Sequence, residues 1–552
     1  MKKNYLIAIT LFLGQMAFSQ DFFVPTNYRG AFAPAPTNAW TDSWVNWDPE
    51  KTVYPASNVT VTSNITANTT WTSDKVYLLS GQIYVKNNST LTIEAGTIVL
   101  VEKNTAGYGL IVTKGSKLNA IGTAQKPIVF TSNQPVDSRL SGDWGGIVLL
   151  GKATTNISGG YANIEGITAT TDTQYGGGTS PVNTDNSGTL SYVRIEFAGQ
   201  ALQPDKEING LTMGAVGSGT TIDHIQTSFV GDDGFEWFGG SVNCKYLVSF
   251  RNTDDDFDTD NGYSGNVQFG LAVRDPLLFD GQQGKGTTSG FESDNDSGAT
   301  TASPQTSATF ANITLIGPKR GQLSPSPALS SYWRNGAHIR KNTGLKIYNS
   351  LFLDFVTGVH IDGLLCEQNA VSGTLKFKSN VVAGSDGKVC ATTLVGTAPN
   401  QTPSAFTTIR TWFKETNKND SVASTAGILV TPYSYTAPDY RPAANSIALT
   451  NINYDLAAAA GISEISLFEN IILYPNPAQN EATLVLSLLK SSVVNVTVYD
   501  VTGKIVSNVF SGNLNEGETN LFINTTDFSN GMYYAKISTD SVVETIKLSI
   551  SK

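Results

Sequence analysis

The chain has 552 residues, with 46 acidic and 36 basic side chains and a formal net charge of −10. That balance argues against a nucleic-acid partner, which needs a basic face to meet phosphate, and the length allows two to four domains. Fifty-two glycines, stretches rich in Thr, Ser, Asn and Val, and little helical periodicity point to β-structure with many tight turns.

The first element in chain order is a leader. Lys2 and Lys3 precede the apolar run Tyr5–Gly14, which is followed by Ala17, Phe18, Ser19 and Gln20. The run is too short to span a bilayer, which takes about 20 helical residues, so residues 1–20 read as a secretory signal peptide cleaved after Gln20. No cysteine beside the cut suggests a lipid anchor, and no later run suggests a membrane span. Residues 21–75, with Tyr28-Arg-Gly-Ala-Phe32 and Trp40-Thr-Asp-Ser-Trp44, form a leading segment expected to cover one end of the next domain.

From residue 76 to 390 short apolar strands recur between Gly, Asn and Asp turns. The strand ends Gly231, Asn252 and Asp275 lie 21 and 23 residues apart, and Gly199 precedes Gly231 by 32, a coil with an inserted loop. A twenty-odd-residue repeat of strands without crossover helices predicts a parallel β-helix, each coil rising by about 4.8 Å. In a 21-residue register Asp233 stacks on Asp254 and Trp237 on Asp258. Residues 391–469 lose the repeat and are expected to cap and link, with a short helix over 405–417 that carries Trp412 and Phe413. From 470 to 552, alternating strands with turns at Asp500–Lys504 and Ser529–Gly531 predict a small β-sandwich.

Two resemblances rest on particular motifs. Leu91-Thr-Ile-Glu-Ala-Gly96, Leu110–Gly115, Leu118–Ser132 and Gly142-Asp-Trp-Gly-Gly146 resemble bacterial surface proteins of the pectin-lyase-like superfamily, whose fold is a right-handed parallel β-helix. That resemblance implies the fold and leaves the activity open, since such folds host lyases, hydrolases and adhesins. Tyr474-Pro-Asn-Pro477, then Tyr499-Asp500 with Gly503-Lys504, Asn530-Gly531 before Tyr533, and Ile546-Lys547-Leu548 resemble the C-terminal sorting domain of type IX secretion. This implies a Bacteroidetes-type cell, passage through the type IX machinery, removal of the domain, and a protein on the cell surface or in the medium.

Three acidic clusters fall on successive coils: Asp232–Glu236, Asp254–Asp260 and Glu292–Asp296. Stacked carboxylates about 4.8 Å apart repel by roughly 3 kcal/mol each at an effective dielectric near 20. A bound cation, protonation or splaying into water must offset this. Calcium takes six to eight oxygens of this kind, which makes Asp232, Asp233, Glu236, Asp254, Asp256 and Asp258 candidate ligands of Ca²⁺; a solvated ridge and a metal-free catalytic pair remain open. Trp237, Tyr263 and Trp333, with Phe235, Phe257 and Tyr332, are candidates for stacking on sugar rings, and Arg334 and Arg340 for polar contacts to an extracellular polysaccharide or matrix polymer.

The resemblance to pectate-lyase-like β-helices implies an alternative, a calcium-dependent lyase whose base would come from Arg251, Arg274, Arg334, Arg340 or Lys341. A two-carboxylate glycoside hydrolase is a further alternative, though Gly231-Asp-Asp233 and Asn252-Thr-Asp254 stand in reversed order and no His-Gly pair comes after them. A purely adhesive or structural surface role is the last. Cys366 and Cys390 are expected to pair and Cys244 to sit in a core. His224, His338 and His360 show no metal-ligand spacing.

Overall fold

The computed structural model describes residues 22–552 apart from 104–106, 204–205, 282–287, 322–328, 392–393, 396–401, 404–408, 454–467, 489–490, 502–503 and 540–542. The signal-peptide reading of residues 1–20 lies outside the described residues. The chain divides into two units, Met1–Ala457 and Ala458–Lys552.

The first unit is a parallel β-helix. One face is a ten-stranded, all-parallel sheet whose strands stack in chain order: β1 (Gln82–Val85), β2 (Gly109–Val112), β3 (Ile147–Leu150), β4 (Leu211–Gly214), β5 (Phe235–Phe238), β6 (Phe257–Asp260), β7 (Phe291–Ser293), β8 (Asn335–Ile339), β9 (Thr357–Ile361) and β10 (Gly387–Ala391). The remaining wall is built from longer strands, among them Gly188–Glu196, Thr221–Ser228, Asn243–Phe250, Asn266–Val273 and Thr309–Ile316, also stacked in parallel. The first of these wall strands are Val59–Val61 and Thr69–Trp71, so the solenoid starts earlier than residue 76.

Each long strand is folded into two faces by one residue in the left-handed region: Tyr192 (φ 52°), His224 (51°), Tyr246 (58°), Phe269 (65°) and, on the last, Asn312 (56°). Such backbone is uncommon for bulky residues. Here the rings themselves supply the compensation, stacking coil on coil at centroid separations of 4.2, 4.4 and 5.1 Å. The interior is filled by inward residues of every coil, including Leu190, Ile222, Cys244, Val267 and Phe310. Cys244 is fully buried, as expected of a small core residue.

The leading segment does not cover an end. It runs lengthwise along the outside of the coils, because the outward side of one wall is also apolar. Phe197, Phe229, Val248, Phe250, Leu271 and Val273 pack there against Phe32, Trp44, Tyr440 and Ile428. Glutamine and threonine side chains pair with the strap's backbone: Gln268 accepts from Val24 N–H and donates to Val24 C=O, both at 2.8 Å, and Thr314 Oγ1 accepts from Ala31 N–H at 2.9 Å. Buried Arg29 closes the strap with an ion pair to Asp420 at 2.7 Å.

The C-terminal part of the unit only partly caps the solenoid. The helical turn over Ile409–Thr416 sets Phe413 on Phe377 at 6.0 Å. Residues 428–449 instead fold back beside the strap, where Tyr440 meets Phe32 and Trp47. Helix α1 (Leu364–Ser372) carries Cys366, which is a free, buried thiol. The expected Cys366–Cys390 bridge is therefore not formed. Cys366 is held by burial, which pushes its thiol up to about 12, while the backbone N–H groups of Asn342 and Thr343 donate to its sulfur. Cys390 lies on β10 in backbone register with His360.

The second unit is a β-sandwich of antiparallel sheets. One holds Phe468–Tyr474, Glu481–Leu488 and Gly517–Asn524; the other Ile505–Leu514, Ser492–Asp500, Gly531–Ser538 and Val543–Ile550. Alternate residues such as Leu484, Leu486, Val494, Val496, Val498, Ile523, Ala535 and Ile537 point into its core. No helix among the described residues is long and apolar enough to cross a membrane.

Candidate metal centre

The acidic clusters sit on β5–β7 and on the turns that lead into them. Between β5 and β6 the repeat is 22 residues: Glu236 opposes Asp258 and Trp237 opposes Thr259. The expected 21-residue register is one residue short, and a one-residue slip exchanges the faces of a strand. Phe235, Trp237 and Phe257 accordingly point into the core, and Glu236 and Asp258 point out. The outward column continues as Glu292, His338 and His360, one residue per coil. Gly234 is needed at the sharp turn before β5, since a Cβ there would lie 2.7 Å from Asn252 Nδ2 and 3.0 Å from the Asp256 carbonyl oxygen.

The carboxylates converge in three overlapping groups: Asp233, Glu236 and Asp258; Asp233, Asp254 and Asp255; and Asp232, Asp254 and Asp280. Within each, one ligand oxygen of every member lies within 4.8 Å of the others. Glu236 is 4% exposed and accepts from Asn209 Nδ2. Asp233 Oδ1 accepts from the Asp255 N–H at 2.8 Å, and Asp255 Oδ1 from the Ser289 N–H. Asp258 Oδ1 is buried and takes no hydrogen bond. Burial, and after it the neighbouring carboxylates, holds the carboxyls of Asp233, Glu236, Asp255 and Asp258 well above the usual range. Four such groups together need either protons or a cation.

Five of the six expected ligands fall in these groups; Asp256 does not. It points inward, where its carboxylate meets Arg274 Nε at 2.8 Å with both side chains fully buried, and accepts from Ser249 Oγ. Asp255 and Asp280 take part instead. The donor set is all oxygen, and buried Asp258 Oδ1 adds an unfilled acceptor, a chemistry that fits a hard divalent cation such as Ca²⁺.

The expected sugar-stacking residues are corrected more sharply. Trp237 stacks on Tyr263 at 5.4 Å inside the core, and both are fully buried. Trp333 is 1% exposed, lies under Arg274 with 5.3 Å from guanidinium to ring, and donates to the Pro276 carbonyl. Phe235 and Phe257 are core residues too. None of these presents a ring face to a polymer. The partly exposed aromatic pair near the acidic turns is Tyr332 and Phe279, stacked at 6.0 Å, the latter next in sequence to Asp280.

Of the basic groups, Arg340 binds Glu292 and Asp294, Lys341 binds Asp294 at 2.8 Å, and Arg251 binds Asp275 at 2.7 Å and Glu50 at 2.9 Å on another corner. Arg334 is exposed and its backbone N–H donates to the Thr288 carbonyl. Of the three histidines, His224 stands in the aromatic corner ladder between Tyr192 and Tyr246. His338 and His360, one coil apart, stack ring on ring at 4.9 Å.

No curated protein matches the chain. Among solved structures, the chain is similar to the enzymatically active domain of bacteriophage CBA120 tailspike protein 4, at 10% identity and a TM-score of 0.15, covering 88% of this chain and 63% of that one. The chain thus spans under two thirds of that structure. Residues 472–551 match the secretion system C-terminal sorting domain, which marks the protein for type IX export to the cell surface. Residues 63–428, well over half of the chain, match the pectate-lyase-like β-helix domain, and the protein belongs to that family.

Proposed function

We propose that this secreted surface β-helix binds an extracellular polysaccharide beside a calcium ion held by Asp233, Glu236, Asp254, Asp255 and Asp258. The observation that carries the reading is the convergence of mostly buried carboxylates in overlapping groups, one of which joins Asp233 and Glu236 to Asp258, whose buried Oδ1 takes no hydrogen bond. A calcium ion there would satisfy them and offer its remaining coordination positions to a uronate carboxylate. The stacked Tyr332–Phe279 pair supplies ring faces at the edge of the same turns.

Binding is favoured over lysis because four of the five candidate bases, Arg251, Arg274, Arg340 and Lys341, are already held in ion pairs with carboxylates. Arg274 is locked on Asp256, and Arg340 on Glu292 and Asp294, so neither is poised as a base. The test is incubation with a uronate-rich polymer in calcium, following retention on the immobilised polymer and ultraviolet absorbance of the product. Calcium-dependent retention with flat absorbance is expected. Rising absorbance would make the protein a lyase, and no retention would leave a structural role. Phe279→Ala and Tyr332→Ala are each expected to weaken retention about three- to tenfold, the equivalent of about 0.5–1.5 kcal/mol per ring contact, with the thermal midpoint unchanged.

Export offers a separate check. A chain ending at residue 457 is expected to accumulate inside the cell envelope in place of the surface, read by fractionation and immunoblotting; normal surface delivery would show that the sorting domain is dispensable.

A further inference from the structure

The outward column of the ten-stranded sheet changes chemistry along its length. Glu236, Asp258 and Glu292 give way to His338 on β8 and His360 on β9. Asp362 follows β9 directly. One ligand atom from each of His338, His360 and Asp362 lies within 4.8 Å of the other two. His338 Nε2 is 3.0 Å from Asp362 Oδ2, and His360 Nε2 is 3.9 Å from Asp362 Oδ1. The rings are stacked nearly parallel, 8° apart, and both Nε2 atoms approach the Asp362 carboxylate.

We infer that His338, His360 and Asp362 form a binding site for a divalent transition-metal ion of the zinc class, separate from the calcium site. Imidazole nitrogen suits zinc, copper and nickel, whereas calcium and magnesium take all-oxygen sets. Zinc bonds of about 2.0–2.1 Å in tetrahedral geometry put neighbouring ligand atoms about 3.3 Å apart. His338 Nε2 is already near that spacing from one oxygen of Asp362 and His360 Nε2 somewhat beyond it from the other, so an ion draws the two stacked rings to tilt toward each other.

The surroundings supply an independent indication. Metal-bound histidines orient themselves by donating the other ring N–H to a carboxylate. His338 Nδ1 is buried, without a hydrogen-bond partner, and lies 3.7 Å from Glu292 Oε2. With an ion on Nε2, the ring proton belongs on Nδ1, where Glu292 receives it. Glu292 is itself held in place by Arg340. Side-chain exposures of 12% for His338, 15% for His360 and 38% for Asp362 leave the ion reachable from solvent. Three protein ligands and a solvent-facing fourth position match sites that keep a water on the metal.

The test is titration of the metal-stripped full-length protein with Zn²⁺ in excess calcium, with Co²⁺ as a spectroscopic probe. One equivalent of Zn²⁺ is expected, and the Co²⁺ form should show the strong visible bands of four-coordinate cobalt. His338→Gln and Asp362→Asn should each abolish stoichiometric binding, and Glu292→Gln should weaken it about tenfold as an outer partner. Asp362 is the least buried of the three, so its variant tests the site even if a histidine variant fails to fold. Asp258→Asn, which removes a calcium ligand, should leave the zinc titration unchanged, so failure of the calcium reading and failure of this one are distinguishable. Absence of a stoichiometric Zn²⁺ site, or binding that survives both ligand variants, would overturn the inference and leave the histidines as a stacked pair of which His338 is hydrogen-bonded to Asp362.

Discussion

Replacing Arg274 by alanine is expected to lower the unfolding free energy of the β-helix unit by about 3–5 kcal/mol, the cost of leaving a buried charge unpaired. Arg274 and Asp256 are both fully buried, 2.8 Å apart. Arg274 also donates to the carbonyl oxygens of Asn252 and Ser289 and lies over the Trp333 ring. It therefore ties three consecutive turns together. Even with Arg274 present, burial pushes the Asp256 carboxyl up to about 6; without it the group must take a proton or admit water. Urea denaturation of R274A, D256A and the double variant measures the coupling directly. A loss below about 1 kcal/mol in R274A would show that the pair is solvated and carries no weight. Because Asp254 and Asp255 stand on the same turn, R274A should also weaken calcium binding, although Arg274 is not among the carboxylate ligands.

The twenty-odd-residue repeat of strands and turns was readable because a solenoid writes its period into the chain. What the repeat could not show was its own bends. Tyr192, His224, Tyr246 and Phe269 adopt left-handed backbone that sequence reasoning reserves for Gly and Asn, and only the stacking of neighbouring coils offsets its strain. The lengthwise strap had a signal that went unused. Leu247-Val-Ser-Phe250 and Leu271-Ala-Val273 are apolar on both faces, and a strand of that kind must be covered on both sides.

The site was partly legible for the same reason. Counting carboxylates on successive coils located the acidic turns, but aligning Gly231 with Asn252 misplaced the register by one residue. Val230 N–H in fact donates to the Asn252 side chain. That single residue decides that Asp256 serves Arg274 and that Trp237 belongs to the core. Asp280 was missed because it arrives from a loop rather than a stacked turn. His338 and His360 were judged by contiguous ligand spacing, whereas in a β-helix the informative spacing is one coil, the 22 residues that bring these two rings together.

In calcium-free buffer the β-helix unit is expected to lose stability as pH rises from about 4 to about 7, the reverse of ordinary acid denaturation. The sign comes from linkage. Asp233, Glu236, Asp255 and Asp258 titrate well above their ordinary range, Asp256 is pushed up to about 6 and Asp260 to about 7, burial being the first cause in each case. Groups with raised folded-state values bind more protons folded than unfolded between the two titrations. Stability is then complete below the unfolded values and falls as pH climbs through the folded ones. Calcium should take over from the protons. At a hundredfold excess over its dissociation constant it adds about 2.7 kcal/mol, or about 3 °C in the midpoint for a unit of this size. The increment should be largest at pH 7 and vanish near pH 4, because protons compete for the same oxygens. Asp258→Asn removes one ligand and one repelling charge, so it should raise the calcium-free midpoint at pH 7 and shrink the calcium increment. Thermal melts across this pH range, with and without chelator, decide the matter. A calcium-independent midpoint with no falling limb would mean that the carboxylates relax into water, and the cation reading would have to be given up.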